Sequence, residues 1–263
     1  MAVAEAEARP GAAHLAQALL HERAGRRADT LVALREAVAL DPAILDEAVE
    51  LRGLDRLYLH ETGLEAVPPS IARFTRLRVL DLGHNRIRAL PDAIGSLRDL
   101  DVLYIHDNQL SLLPASIGEL TALTYLNAGE NLLTALPASV GDLASLVELR
   151  LQHAGLTALP PSIGKLSLLR ELHLRGNPLT ELPDTIGDLR DLRHLDLREN
   201  RLATLPDAVT RLPRLRLLDL RANPLDHLPT AIETMPALEK LDLRWTGLPA
   251  PAALRARGCI VLD

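Results

Sequence analysis

The sequence predicts an α/β solenoid: a right-handed horseshoe with a parallel sheet on the concave face, short helical or 3-10 segments on the convex face, and a helical N-terminal cap. Three observations predict it. Leucine recurs every 23 residues, from Leu54 through Leu77, Leu100, Leu123, Leu146, Leu169, Leu192 and Leu215 to Leu238, which gives eight full units and the start of a ninth without an insertion. Within each unit a short alternating apolar stretch gives way to a Leu-Pro-x-x-Ile-Gly-x-Leu segment, as from Leu113 to Leu120. Hydrophobic residues make up 48% of the chain but aromatics only 2%, so the core is aliphatic and its packing repetitive.

Each part of the unit follows from its residues. Leu80 and Leu82 alternate with Asp81 and Gly83, the period of a short strand with one buried face. Asn85 ends that stretch, with counterparts at Asn108, Asn131, Asn177, Asn200 and Asn223. Stacked amides at one position donate to and accept from the backbone of adjacent turns. Thr62 and Thr246 take their place in the terminal units, and Ala154 interrupts the ladder for no reason visible in the sequence. The proline that follows fixes an extended or turn conformation, which makes the outer wall a short helical or 3-10 segment. Narrow strands against a wider outer wall curve the stack.

The pattern L-x-x-L-x-L-x-x-N-x-L is that of leucine-rich repeats. With its Leu-Pro-x-x-Ile-Gly-x-Leu half, it resembles the 23-residue repeats of Ras-suppressor-like, Scribble-like and plant intracellular Ras-group proteins and of many bacterial proteins. The resemblance covers residues 54–263. It implies a non-catalytic protein-binding horseshoe and allows a small GTPase or other signalling protein as partner. Lysine occurs only at Lys165 and Lys240, the other 27 basic residues being arginine, a bias that looks like a GC-rich bacterial coding sequence.

The chain divides into a helical cap at 1–53, repeats at 54–249, and a C-terminal cap with an edge strand at 250–263. In the first part Leu15, Leu19, Leu20, Leu31, Leu34, Val38 and Leu40 fall at helical spacing. The stretch from Gly25 to Pro42 resembles the second helix of a tetratricopeptide motif, with Gly25 making the turn, Ala37 allowing close packing and Pro42 stopping the helix. The hairpin caps the first repeat or offers a second docking surface. Ala252–Arg257 reads as a last helical turn and residues 259–262 as a final strand, so the chain reads as complete.

Composition removes several function classes. A net charge of −6 argues against a nucleic-acid partner. Cys259 is the single cysteine, which excludes an intramolecular disulfide or a cysteine zinc site. Met1–Pro10 is acidic and lacks the basic and apolar regions of a secretory signal, and no apolar run reaches the roughly 18–20 residues of a membrane span. The chain reads as cytoplasmic. Phosphate-loop, dinucleotide and metalloprotease motifs are missing. Ser70, Ser116, Ser139 and Ser162 share one repeat position and read as caps or turns. Gly95, Gly118, Gly141, Gly164 and Gly187 share another and are structural. Neither an enzyme nor a cofactor is expected.

The third, fifth, seventh and eighth residues of each unit project onto or flank the concave face, about 4.8 Å from their counterparts in the next unit. Tyr58, Tyr104, Tyr125 and Trp245 all fall in these columns, while Phe74 takes a core position. Six histidines fall there too, among them His60, His84, His106, His173 and His194. Tyrosine and tryptophan anchor protein interfaces, so Tyr58, His60, His84, Tyr104, His106, Asp107, Tyr125 and Trp245 are the candidate partner-binding residues. The alternative is an ordinary solvated face that tolerates tyrosine for its strand propensity. Small Gly83 and Gly129 between large neighbours predict pockets, and the histidines predict an affinity that changes between roughly pH 5.5 and 7.5.

Arg175, Arg198, Arg221 and Arg244 stack as a secondary charged patch. They either hold an acidic or phosphorylated segment or form a self-neutralising ladder with Asp196, Asp219 and Asp242, which is the favoured reading. A metal site at His60, His84, His106 and Asp107 is rejected, because His60 and His106 lie two strands, about 9–10 Å, apart. The chain therefore reads as a monomeric scaffold or adaptor that binds another protein. The alternatives are a structural, self-associating protein and, less favoured, a small-ligand binder on the Tyr/His patch.

Overall fold

A computed structural model describes residues 11–263. The signal reading of Met1–Pro10 lies outside the described residues. Ten three-residue strands form one parallel sheet in sequence order. They are β1 (Arg56–Tyr58), β2 (Val79–Asp81), β3 (Val102–Tyr104), β4 (Tyr125–Asn127), β5 (Glu148–Arg150), β6 (Glu171–His173), β7 (His194–Asp196), β8 (Leu217–Asp219), β9 (Lys240–Asp242) and β10 (Ile260–Leu262). From β1 to β9 each residue pairs with the one 23 positions on, as Leu57 with Leu80 and Leu80 with Leu103. The leucines of the alternation are buried throughout, because a parallel sheet with a period of two sends one face inward.

The outer wall consists of five-residue 3-10 turns, each entered through a proline such as Pro91, Pro114 or Pro137 at φ −66° to −71°. Adjacent turns touch at the repeated glycine. A Cβ on Gly118 would lie 2.4 Å from the Ser139 carbonyl oxygen and 2.8 Å from the Ser139 Cβ, so no side chain fits at Gly118 as the turns are packed there. This contact corrects the reading of the serines as caps. None of their turns has a side-chain cap, and the hydroxyls of Ser70, Ser116, Ser139 and Ser162 are buried without a protein partner. The position wants small size: elsewhere it holds Ala93, Thr185, Ala208 and Ala231.

The asparagine ladder runs as its chemistry requires. Asn108 Nδ2 donates to the carbonyls of Leu82, Ile105 and His106, while its Oδ1 accepts the Ile87 N–H. Thr62, with no preceding strand to serve, keeps the bond three residues back, to the Leu59 carbonyl at 2.9 Å, and its hydroxyl also reaches Asn85 Oδ1 at 3.1 Å. Nothing in the structure explains Ala154, which is fully buried. Gly155 beside it sits at φ +94°, and the N–H groups of Ala154, Gly155 and Leu156 all converge on Asn177 Oδ1. The residue before each ladder position, from Glu61 and His84 to Ala222 and Trp245, is left-handed at φ 51° to 63°, with glycine only at Gly176.

Helices α1 (Ala12–Arg23) and α2 (Arg27–Leu40) form a hairpin turned at Gly25 (φ +69°), followed by α3 (Ile44–Glu47). Thr30, Ala33, Leu34, Ala37 and Val38 bury the inner face of α2, whereas Leu20 and Leu40 are exposed and do not join the core as the helical spacing suggested. The hairpin seats on the first repeat: Arg35 Nε donates to the His60 carbonyl at 3.0 Å and Arg73 to the Asp46 carbonyl at 3.1 Å. At the other end α4 (Ala252–Ala256) buries Leu254 and leads into β10.

Candidate protein-binding face

The third and fifth residues of each unit leave the strands on the concave side. From β2 to β4 they and the seventh and eighth residues just beyond the strands bring together a contiguous ring cluster. The Tyr104 and Tyr125 rings are 5.1 Å apart, Tyr104 and His106 6.0 Å, and His84 and His106 4.7 Å edge to face. These are diagonal and same-strand contacts: Tyr104 pairs in register with Asn127 and leans across to Tyr125, the partner of Val102, while His106 follows Tyr104 by two residues. Asp107 joins through His84 Nδ1 at 2.6 Å. His60 turns toward the Asp81 carboxylate at 3.4 Å, and Tyr58 is half-buried on β1.

Two expectations about this patch change. Gly83 and Gly129 make no pockets, because their neighbours fill the space. A Cβ on Gly83 would meet His106 Cε1 at 2.6 Å, and one on Gly129 would meet Gln152 Cδ at 2.8 Å. Trp245 does not belong to the cluster. It lies past β9, about 24 Å from β4 at the usual strand spacing, 75% exposed and faced by the Arg244 guanidinium at 5.6 Å. Burial and the neighbouring His84 hold the His106 imidazole below its ordinary pKa, against the pull of Asp81, Glu130 and Asp107. Burial raises the Tyr125 phenol, with Arg150 opposing.

The arginines stand in a ladder in which each is paired. Arg198 Nε and Nη2 reach Asp196 at 2.9 and 2.7 Å, and Nε lies 3.5 Å from Asp219 of the next unit. Arg221 repeats this with Asp219 and Asp242, and Arg244 with Asp242. Arg175, whose unit has His173 in place of the aspartate, pairs with Glu199 at 2.8 Å. Burial pushes the Asp242 carboxyl up, but the side-chain and backbone hydrogen bonds of Arg244 outweigh it and hold the group below the usual carboxylate range.

A concavity lies over β5–β9, a cavity of about 410 Å³ whose lining includes Arg150, His173, His194, Leu217 and Lys240. Beside it His173 and His194 stack edge to face at 5.0 Å, and Glu171 Oε2 lies 3.2 Å from His173 Nε2. The donor atoms of Glu171, His173 and His194 all fall within 4.8 Å of one another. The sequence reading passed over this trio, although the columns carried its signal: Glu171 and His194 share the third column in adjacent units, and His173 stands in the fifth.

Curved parallel sheet, asparagine ladder and open concave face together define a leucine-rich repeat module, and the chain belongs to that family. Residues 70–161 and 160–253 match the leucine-rich repeat region. The leucine-rich repeat domain of the type III effector XopL is 30% identical with a TM-score of 0.72, over 97% of this chain and 95% of that one. A leucine-rich repeat protein of Leptospira interrogans is 28% identical with a TM-score of 0.56, over 82% of this chain and 68% of that one. The plant peptide hormone receptor RGFR1, solved in complex with RGF2, is 30% identical with a TM-score of 0.67 over 75% of this chain, which spans only 33% of the receptor chain. No curated protein matches the sequence. Among the described residues, no helix is long and apolar enough to cross a membrane.

Proposed function

We propose that this chain is a non-catalytic recognition module, a scaffold or adaptor that binds a partner protein through its concave face, with Tyr58, His60, His84, Tyr104, His106, Asp107 and Tyr125 at the centre of contact. The observation that carries the reading is the ring cluster of Tyr104, Tyr125, His106 and His84 on the solvent side of the sheet. The core is built almost wholly from aliphatic residues, so these rings are not needed for folding. A rigid sheet presents them in a fixed array, which lowers the ordering cost of binding. RGFR1, solved in complex with RGF2, is another protein of this fold with a bound partner. The module acts as a monomer in the cytoplasm of a bacterial cell, in keeping with the bacterial relatives and the arginine-rich coding bias.

The test compares two double variants against one partner, purified from the host by affinity capture and then measured by calorimetry. Tyr104→Ala with Tyr125→Ala should weaken binding at least tenfold, since hot-spot tyrosines cost about 2 kcal/mol or more each, with folding intact. Charge reversal at Arg198 and Arg221 should do less, because those guanidiniums are already satisfied. Loss on the arginine pair alone would move the site to the ladder. A second reading, self-association, is favoured by the free edge of β10, where Ile260 is 59% exposed. Sedimentation of the full chain decides between monomer and dimer.

A further inference from the structure

We propose that Glu171, His173 and His194 form a binding site for a divalent transition-metal ion of zinc type on the concave face of β6 and β7. This goes beyond the recognition reading and does not depend on it.

The site comes from register. Glu171 and His194 are direct cross-strand partners, and His173 lies two residues further along β6 on the same face. Parallel pairing therefore places two imidazoles and a carboxylate around one point, with donor atoms within 4.8 Å of one another. Tetrahedral zinc, with bonds of about 2.0–2.1 Å to nitrogen and oxygen, holds its ligands about 3.3 Å apart. Glu171 Oε2 and His173 Nε2 already meet that spacing at 3.2 Å. Rotation of the His194 side chain closes the rest without moving the sheet.

The charge arrangement around the trio is the second observation. Glu148 and Glu171 face each other in register across β5 and β6, a like-charge pair that costs stability unless a cation offsets it. Both carboxylates reach toward the same imidazole nitrogen: His173 Nε2 is 3.2 Å from Glu171 and 3.9 Å from Glu148. Arg150 is committed to Glu148 by a hydrogen bond and Arg198 to Asp196, so neither of them bonds Glu171 directly, and Arg150 offsets its charge only through space. A dication at the trio supplies that charge. Two histidines and one glutamate are a three-ligand set used by zinc when a coordination position is left open. Here the open position faces the cavity of about 410 Å³ that His173 and His194 line, where water or an oxygen or nitrogen donor of a bound partner completes the sphere.

The test is calorimetry of the untagged full chain, stripped with chelator and titrated with zinc chloride near neutral pH. One ion should bind per chain. Glu171→Gln and His194→Ala should each weaken it at least tenfold, while His227→Ala, at an exposed position between β8 and β9, should leave it unchanged. Cobalt in place of zinc should give the intense visible absorption of a tetrahedral site, a readout on the wild-type protein that needs no variant to fold. Circular dichroism melts check that the variants keep the solenoid. The proposal is overturned if the wild type shows no saturable uptake at millimolar zinc, if the double variant His173→Ala, His194→Ala still binds one ion, or if His227→Ala loses binding as much as His194→Ala.

Discussion

The His106 imidazole covers Gly83 of the preceding unit so closely that a Cβ on the glycine would sit 2.6 Å from its Cε1. The glycine thus sets the pose of a ring that in turn contacts His84 and Tyr104. Gly83→Ala should push His106 out of the cluster. Because the obstacle is the end of a side chain that can rotate, the melting temperature should change little, while partner affinity should fall several-fold. Equal affinity of variant and wild type in calorimetry would show that the His106 pose is irrelevant to binding.

Asn177, like Asn85, carries more of the ladder than Asn200. Its Oδ1 accepts three backbone N–H groups, and its Nδ2 serves the carbonyls of Leu151 and Leu174 at 2.8 Å each. Asn200 Oδ1 accepts one, from Leu179 at 3.4 Å. Each buried group left without a partner costs about 1–3 kcal/mol. Asn177→Ala should therefore destabilise by about 3 kcal/mol or more, and by more than Asn200→Ala. Denaturant unfolding of the two variants measures the difference.

The Asp–Arg ladder gives stability a defined dependence on acid. Asp242 has a folded pKa below its unfolded value, so its contribution is complete above about pH 3.9 and is lost as the pH falls through the lower, folded value. Melting temperature should hold steady from neutrality down to about pH 4 on this account and then drop. Asp242→Asn should lower stability at neutral pH and flatten that acid limb. An unchanged acid slope in the variant would assign it to other carboxylates.

Ala222 holds the left-handed turn at φ 54°, a conformation that costs an ordinary residue about 1–2 kcal/mol. Ala222→Gly should leave stability equal or higher, and Ala222→Val should lower it by about 1–2 kcal/mol, since β-branched residues tolerate positive φ least. Equal melting temperatures for the two variants would mean that the turn relaxes.

Removal of residues 1–50 strips the hairpin from the first repeat, where Leu51, Leu54, Leu57 and Leu59 are all buried. Aggregation or a large drop in melting temperature should follow, because a solenoid exposes its core wherever an end is left bare. A truncated chain as stable and monomeric as the full one would make the hairpin an appendage, free to act as a docking surface.

The sequence by itself determined the solenoid, the strand positions and which side chains share a column. A 23-residue period with a two-residue alternation assigns every position in the unit its inward or outward place, so Tyr104 beside Tyr125, and Arg198 within reach of both Asp196 and Asp219, were legible from spacing alone. Tertiary structure decided how those side chains lean. His106 and Gln152 fold over Gly83 and Gly129 and erase the expected pockets, and the serines prove to be chosen for size. It also drew Glu171, His173 and His194 to one point and left Trp245 alone at the far end. The physical reason is that a column fixes where a Cα stands, whereas the direction of a side chain depends on the room and charge offered by the diagonal neighbour in the next unit, which exists only once the units are stacked.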